Sequence, residues 1–304
     1  MRNEFAIRKP ELAIWQKPRI GATELRSVGQ VICGGAVCSR DCRSDIPVAI
    51  IGSKLKKLSV AIITRNEEGN IDRCLSSVAF ADEIIVLDSG SEDRTVEIAR
   101  RYTDRVIETD WPGHVKQKQR AVDQAAHDWI LAIDADEEVT LLLRESIQAA
   151  LSEEEGKDAY TLTRKVYYLG QWINHCGWYP EWRIRLFNRR KGHWGGYDPH
   201  DKVESSGSVG KLLGDLNHYS YRDVSHHLAR INEYTTIMAR QYFQKGRRGR
   251  FDQMLLRPPF NFIKKYFWQL GFLDGVAGFV ICVLASYYVF LKYLKLWELG
   301  RRNV

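Results

Sequence analysis

From Leu58 onward, short apolar runs alternate with segments of helical spacing, and this alternation limits the fold more than any other feature of the 304-residue chain. Leu58-Ser-Val-Ala-Ile-Ile63 is rich in β-branched residues and carries no charge, as a strand buried on both faces does. Helical spacing follows over 70–78. Glu83-Ile-Ile-Val-Leu87 reads as a second strand, and Ser91 or Asp93 can cap a helix running to Tyr102. Residues 105–108 read as a third strand, 114–126 as a helix, and Trp129-Ile-Leu-Ala-Ile133 as a fourth strand. Strands and helices in this order predict a parallel sheet covered by helices on both faces. Residues 160–168 and 183–187 read as mixed strands that extend it.

Outside this region the character changes. Residues 1–57 mix Pro10, Pro18 and Pro47 with Gly34-Gly35 and show no sustained period, so we read them as a weakly ordered N-terminal extension. They hold 11 basic and 5 acidic residues, which is +6 of the chain's formal +7, and residues 58–304 are nearly neutral. Nucleic-acid binders need a basic face on the folded part, so no nucleic acid is expected as a partner. An apolar content of 44% excludes a wholly disordered chain. The six cysteines form no C-x-x-C pair, and free thiols suit them better than a zinc site. We divide the remainder into a sheet domain over 58–222 and a helical region over 223–304.

Ligands of such sheets bind beyond the carboxyl ends of the strands. Three polar clusters sit there: Thr64-Arg-Asn-Glu67, Asp88-Ser-Gly90 and Asp134-Ala-Asp136. Two carboxylates as close as Asp134 and Asp136 repel unless a cation lies between them. Mg²⁺ or Mn²⁺ on oxygen ligands is the natural partner, bridging to substrate phosphates. Glu137 and Glu138 add to the acidic patch. A solvated turn is the plainer reading of an isolated D-x-D; the two other polar strand ends favour the metal. Asp88 can accept hydrogen bonds from a base or ribose, or cap the next helix. Thr64, Asn66 and Glu67 can bind a nucleotide or form a turn.

Three segments together resemble family 2 glycosyltransferases of the GT-A fold: Leu58-Ser-Val-Ala-Ile-Ile-Thr-Arg-Asn-Glu-Glu68, Ile84-Ile-Val-Leu-Asp-Ser-Gly-Ser91 and Trp129-Ile-Leu-Ala-Ile-Asp-Ala-Asp-Glu137. Trp178-Tyr-Pro-Glu-Trp-Arg-Ile-Arg-Leu-Phe187, His218-Tyr-Ser-Tyr221 and Gly271-Phe-Leu-Asp-Gly275 narrow the resemblance to bacterial lipopolysaccharide core β-1,4-glucosyltransferases acting on inner-core heptose. The resemblance implies an α/β fold of GT-A type, a Rossmann-like mixed sheet followed by a helical, membrane-associated C-terminal segment. It implies a nucleotide-sugar donor, UDP-glucose, and a lipid-linked oligosaccharide or lipopolysaccharide core acceptor. By matching position, Thr64, Asn66, Glu67 and Asp88 would hold the nucleotide, Asp134 would lie near the ribose and diphosphate, and Asp136 would ligate a divalent metal. Lys118 is a candidate contact for donor phosphates, and His218 a further metal or diphosphate ligand.

Inverting transfer needs a base on the acceptor side. Asp201, in Asp198-Pro-His-Asp201, and Glu181, in Tyr179-Pro-Glu181, are the candidates, Asp201 being preferred. Relatives often carry His-Glu where this chain has His200-Asp201. Arg183 and Arg185 alternate along a strand, share a face, and suit phosphates on an anionic acceptor. Trp172, Trp178, Trp182 and Trp194 offer flat faces for sugars or for core packing.

In the C-terminal region, helical spacing over 223–244 gives way to a basic loop, Lys245-Gly-Arg-Arg-Gly-Arg250, and then to Pro258-Pro259. Residues 276–291 carry no charge and are flanked by aromatics, which suits a membrane interface better than a full span of about 20 apolar residues. Eight basic residues over 240–265 against the single acid Asp252 fit an anionic membrane surface, at about 1 kcal/mol each. We therefore expect a peripheral or monotopic enzyme at the cytoplasmic face of the bacterial inner membrane. The alternatives are a transferase of the same fold with another donor or acceptor, and a catalytically inactive membrane-bound interaction protein. A nucleotidyltransferase would want a Gly-rich loop where this chain reads Thr-Arg-Asn-Glu-Glu.

Overall fold

The computed structural model describes residues 56–197 and 200–302, all within the unit Ile50–Val304. The extension read over 1–57, with Cys33, Cys38 and Cys42, falls outside the described residues except for its last two positions.

Four parallel strands come first, separated by helices: β1 (Leu58–Thr64), α1 (Ile71–Ser77), β2 (Glu83–Asp88), α2 (Thr95–Ala99), β3 (Val106–Glu108), α3 (His114–Asp123) and β4 (Trp129–Asp134). The helices are shorter than their spacing predicts. The second begins only at Thr95, because Asp93 spends its carboxylate on the Thr95 amide (3.0 Å). After β4 follow β5 (Glu137–Val139), α4 (Leu141–Ser152), β6 (Ala159–Tyr168), β7 (Gln171–Trp172), β8 (Glu181–Asn188), the hairpin β9 (Gly192–Tyr197) and β10 (His200–Ser205), and β11 (Val209–His218).

The main sheet runs β3-β2-β1-β4-β8-β6-β11-β5, with β7 beside β6. It is mixed rather than parallel throughout: β8 is antiparallel to β4 and β6, and β5 is antiparallel to β11. β5 lies four strand positions from β4, roughly 19 Å across a flat sheet. Yet Asp134 and Glu137 are three Cα steps apart, at most about 11 Å. The sheet must therefore curl so that β5 closes onto β11. The Asp134-Ala-Asp136 link stretches across the mouth of that curl.

Period-two alternation divides the core. Val60, Ile62, Leu131 and Ile133 pack on one face with Ile71, Leu75, Leu143 and Ile147. Ala61, Ile130 and Ala132 pack on the other with Ala121, Val122, Trp194 and Val203.

The last third is helical: α5 (Val224–Gln244), capped by Asp223 on the His226 amide (2.7 Å), α6 (Phe251–Ile263), a π turn (Lys264–Trp268), a 3₁₀ turn (Gly271–Asp274) and α7 (Gly275–Arg302). Pro258 and Pro259 do not follow a break but lie inside α6. Each lacks an amide hydrogen, so the carbonyls four residues earlier go without that bond. The Gly271-Phe-Leu-Asp-Gly275 motif is a fastening. Asp274 is buried and accepts from the His175 amide (2.8 Å) and the Asn174 amide (3.2 Å), and pairs with His175 Nδ1 (3.0 Å). A Cβ at Gly278 would lie 2.0 Å from the Gly271 carbonyl oxygen, so only glycine allows α7 to pass this close. Ala277, Ile281 and Cys282 then pack against Val166, Tyr168 and Ile173, and Tyr293 and Leu296 against Ala239 and Met254. The stretch Gly271–Arg301 is long and apolar enough to cross a membrane by length and composition. One of its faces is nonetheless occupied by protein along much of its length.

Candidate active site

A cavity of about 780 Å³ opens at the carboxyl ends of β1 and β4, under the β9–β10 hairpin and against α5. Thr64, Glu67, Asp134 and Asp136 line it from the strand ends; Lys118 enters from α3, Arg183 and Arg185 from β8, Asp201 from β10 and His218 from the end of β11. The curl of the sheet brings these positions together.

Eight of the charged side chains form one alternating series. Asp201 pairs with Lys118 (2.8 Å), Lys118 with Asp134 (2.8 Å), Asp134 with Arg185 (3.0 Å) and Arg185 with Glu137 (2.8 Å). Glu137 continues to Arg164 (3.5 Å), Arg164 to Glu181 (2.6 Å) and Glu181 to Arg183 (2.6 Å). Four carboxylates thus face four cations, and the two candidate bases, Asp201 and Glu181, sit toward opposite ends. The middle is dry: the Glu137 side chain is 0% exposed and that of Arg185 is 5% exposed. Burial raises the Asp134 carboxyl, but Lys118 and Arg185 outweigh it and hold the group well below the usual carboxylate range. For Asp201, burial is likewise outweighed by Lys118. For Glu181, burial is outweighed by Arg164 and Arg183, bringing it to about 2.

Asp136 stands apart from this series. Its carboxylate faces His218 Nε2 at 3.1 Å, and Ser220 Oγ lies 2.6 Å from His218 Nδ1. Burial raises Asp136, and His218 more than offsets it. Asp136 and His218 both line the cavity, so they present one oxygen and one nitrogen donor together. Among the described residues, no group of three or more His, Cys, Asp or Glu side chains is placed to hold a metal. A two-donor site nevertheless fits Mg²⁺ or Mn²⁺, which keep waters and take substrate phosphates for the remaining positions. Asp134 does not share that role here, because Lys118 and Arg185 already neutralise it.

The nucleotide candidates separate. Thr64 lines the cavity with a buried hydroxyl that has no hydrogen-bond partner among the described residues. Glu67 also lines it, its carboxyl raised by burial and by Asp136. Asn66 and Asp88 are not on the wall. Asn66 has a left-handed backbone (φ 55°), and its side chain accepts from the Glu92 amide (2.8 Å). Asp88 is buried and accepts from the Gly90 (2.9 Å) and Ser91 (2.8 Å) amides and the Ser91 hydroxyl. Both residues order the loops around the site. Lys118, the candidate for donor phosphates, lines the cavity and bridges Asp134 and Asp201.

Arg183 and Arg185 reach the same cavity, but a bulge intervenes, since Thr161 pairs with Ile184 while Tyr160 pairs with Leu186. Arg185 is consumed by Asp134 and Glu137, leaving Arg183 more exposed beside Glu181. Glu137 is not part of a solvated acidic patch but a buried counter-ion that also accepts from the Asp134 amide (2.9 Å). Of the four tryptophans, Trp182 and Trp194 line the cavity. Trp194 lies over Lys118 (4.7 Å) and Arg185 (5.6 Å). Sequence reasoning missed Arg164, whose signal is a charge in mid-strand, and the α5 residues Arg230 and Tyr234, for which no local signal exists.

The model of the family described as Glycosyl transferase family 2 matches residues 59–213. A lipopolysaccharide core biosynthesis glycosyltransferase, LpsC of Rhizobium meliloti, is 30% identical over 79% of this chain and 92% of its own length. The chain belongs to glycosyl transferase family 2. An uncharacterized glycosyltransferase of Rickettsia typhi, RT0209, is also 30% identical, over 82% of this chain and 89% of its own. Among solved structures, S. aureus TarS 1-349 in complex with UDP-GlcNAc aligns with a TM-score of 0.42 at 14% identity, over 81% of this chain and 92% of that one. The curled mixed sheet, with its acidic link at the strand ends, is the GT-A arrangement, and the apolar α7 follows it.

Proposed function

We propose that the protein is an inverting, metal-dependent hexosyltransferase that moves glucose from UDP-glucose to an inner-core heptose of lipopolysaccharide. The observation that carries this reading is the convergence of Thr64, Asp136, His218 and the cavity-facing members of the charge series, four cations and two carboxylates, on one cavity, in a chain similar to LpsC. Thr64 and Glu67 would contact the nucleotide. Asp136 and His218 would hold Mg²⁺ or Mn²⁺, which when bound supplies positive charge to the departing diphosphate. Asp201 is the preferred base, because it lines the cavity, whereas Glu181 lies off the wall and is tied to two arginines. The acceptor hydroxyl gives its proton to the Asp201 carboxylate as its oxygen bonds to the anomeric carbon. The bond from that carbon to the diphosphate breaks on the opposite side, and UDP leaves. Arg183, the more exposed of the arginine pair, would meet phosphate on the acceptor.

The enzyme would work peripherally or monotopically at the cytoplasmic face of the inner membrane. Supporting this, Leu256, Phe260, Trp268, Val276 and Phe279 expose apolar surface on α6, the π turn and α7. Arg247, Arg248, Arg250 and Lys264 lie close to them in the chain. The test is transfer of labelled glucose from UDP-glucose to heptose-terminated lipopolysaccharide. Transfer that disappears in Asp201→Asn supports the reading. Transfer only from another nucleotide sugar would refute the donor assignment.

A further inference from the structure

A second cavity, of about 270 Å³, lies between α5, α6 and α7. Its α7 wall is mostly apolar, with Ile281, Leu284, Ala285 and Val289. Two cations, Arg230 and Lys265, and the Asn261 amide reach it as well. Lys265 donates to the Cys176 carbonyl (2.8 Å). Asn261 Nδ2 is buried and has no hydrogen-bond partner among the described residues. Tyr221, Arg230, Tyr234 and Tyr288 line this cavity and the active-site cavity alike, so the two are neighbours across one shared wall. The outer surfaces of α6 and α7, the helices that enclose it, are the exposed apolar ones.

An apolar wall with cations and an unpaired amide donor matches an amphiphile with an anionic head. We propose that this cavity binds the lipid portion of the acceptor, an alkyl chain lying along α7 with its phosphate at Lys265 and the Asn261 amide. The inference rests on the reading of the acceptor as lipid-linked. It adds a site in which a chain drawn from the membrane side would hold the acceptor sugar near Asp201. The phosphate chooses this end because Lys265 supplies a charge-assisted donor, and Asn261, four residues before it, a second donor already stripped of water.

The probe is dodecyl phosphate below its micelle concentration, titrated calorimetrically into the full chain, with dodecyl trimethylammonium as the opposite-charge control. UDP binding in the presence of Mn²⁺ is measured on the same samples. Ala285→Trp, which fills the cavity, should weaken dodecyl phosphate at least tenfold. Lys265→Gln should weaken it several-fold without affecting dodecanol. Neither variant should change UDP affinity by more than twofold. Val289→Phe fills the same space from the next turn of α7 and replaces Ala285→Trp if that variant does not fold. Dodecyl phosphate binding that survives both substitutions places the amphiphile on the outer apolar face and overturns the proposal, as does equal binding of the cationic amphiphile. Loss of UDP binding in the wild type, with amphiphile binding intact, would instead strike at the transferase reading alone.

Discussion

Arg185→Met tests whether the alternating series of charges holds the site together. Arg185 stands mid-series, with Asp134 at 3.0 Å and Glu137 at 2.8 Å, and its side chain is 5% exposed. Removing it leaves four carboxylates against three cations. Breaking a buried ion pair from one side costs about 3–5 kcal/mol, because the partner stays buried and uncompensated. Asp134 keeps Lys118 at 2.8 Å and Glu137 keeps Arg164 at 3.5 Å, so the lower end, about 3 kcal/mol, applies. For the 245 described residues that corresponds to a fall in Tm of about 6 °C. Urea unfolding followed by circular dichroism measures it. Adding Glu137→Gln removes the stranded charge and should restore at least about 1 kcal/mol, so the pair is non-additive. Arg183→Met, at the exposed end of the series, should cost less than about 1 kcal/mol. Equal losses at positions 183 and 185, or strict additivity of Arg185→Met with Glu137→Gln, would show that the series does not act as a unit.

Other expectations follow from the same geometry. With Lys118→Met, burial of Asp201 is no longer opposed by its nearest cation, so its carboxyl rises and the acid limb of kcat/KM moves to higher pH. Lys118→Arg should leave that limb low, and a limb that ignores both changes excludes Asp201 as the base. His227 is buried against Tyr168 and Tyr221 and is held at about 4 by burial and by His226, below its ordinary 6.5. The unfolded chain therefore binds the extra proton between these values, and stability should fall by on the order of 3 kcal/mol as pH drops from 6.5 to 4. His227→Gln should flatten that slope in pH-dependent urea midpoints; an unchanged slope would assign it to other groups. On the outer face of α6, Leu256→Glu with Phe260→Glu should cut partition onto anionic vesicles more than tenfold. An unchanged partition would place membrane contact elsewhere.

The alternating strands and helices from Leu58 to Asp134 were legible because local periodicity decides them: β1, β2 and β4 are apolar on both faces, and each connection is short. The same periodicity could not show that β8 and β5 run antiparallel, since strand direction depends on partners distant in sequence. It also missed α6, where Pro258 and Pro259 argue locally against a helix that contacts with α7 stabilise. Asp134, Asp136, Asp201 and His218 could be singled out from the sequence, and the structure brings them to one cavity; Glu181, singled out with them, lies off its wall on Arg164 and Arg183. Their partners were not legible: nothing near Lys118 in the sequence indicates that it bridges carboxylates 16 and 83 residues away. The end of a buried strand left Asp88 open between a ligand contact and a cap; its carboxylate accepts from the amides of its own turn, a local pairing that the sequence allowed but did not decide.

The most direct test of the central claim is calorimetric binding of UDP with and without Mn²⁺, on the wild type and on Asp136→Asn. Mn²⁺ should strengthen UDP binding in the wild type and no longer strengthen it in the variant, with the fold of both intact by circular dichroism. UDP binding that is indifferent to Mn²⁺, or equally metal-dependent in Asp136→Asn, would contradict the assignment of Asp136 and His218 as the metal-holding pair.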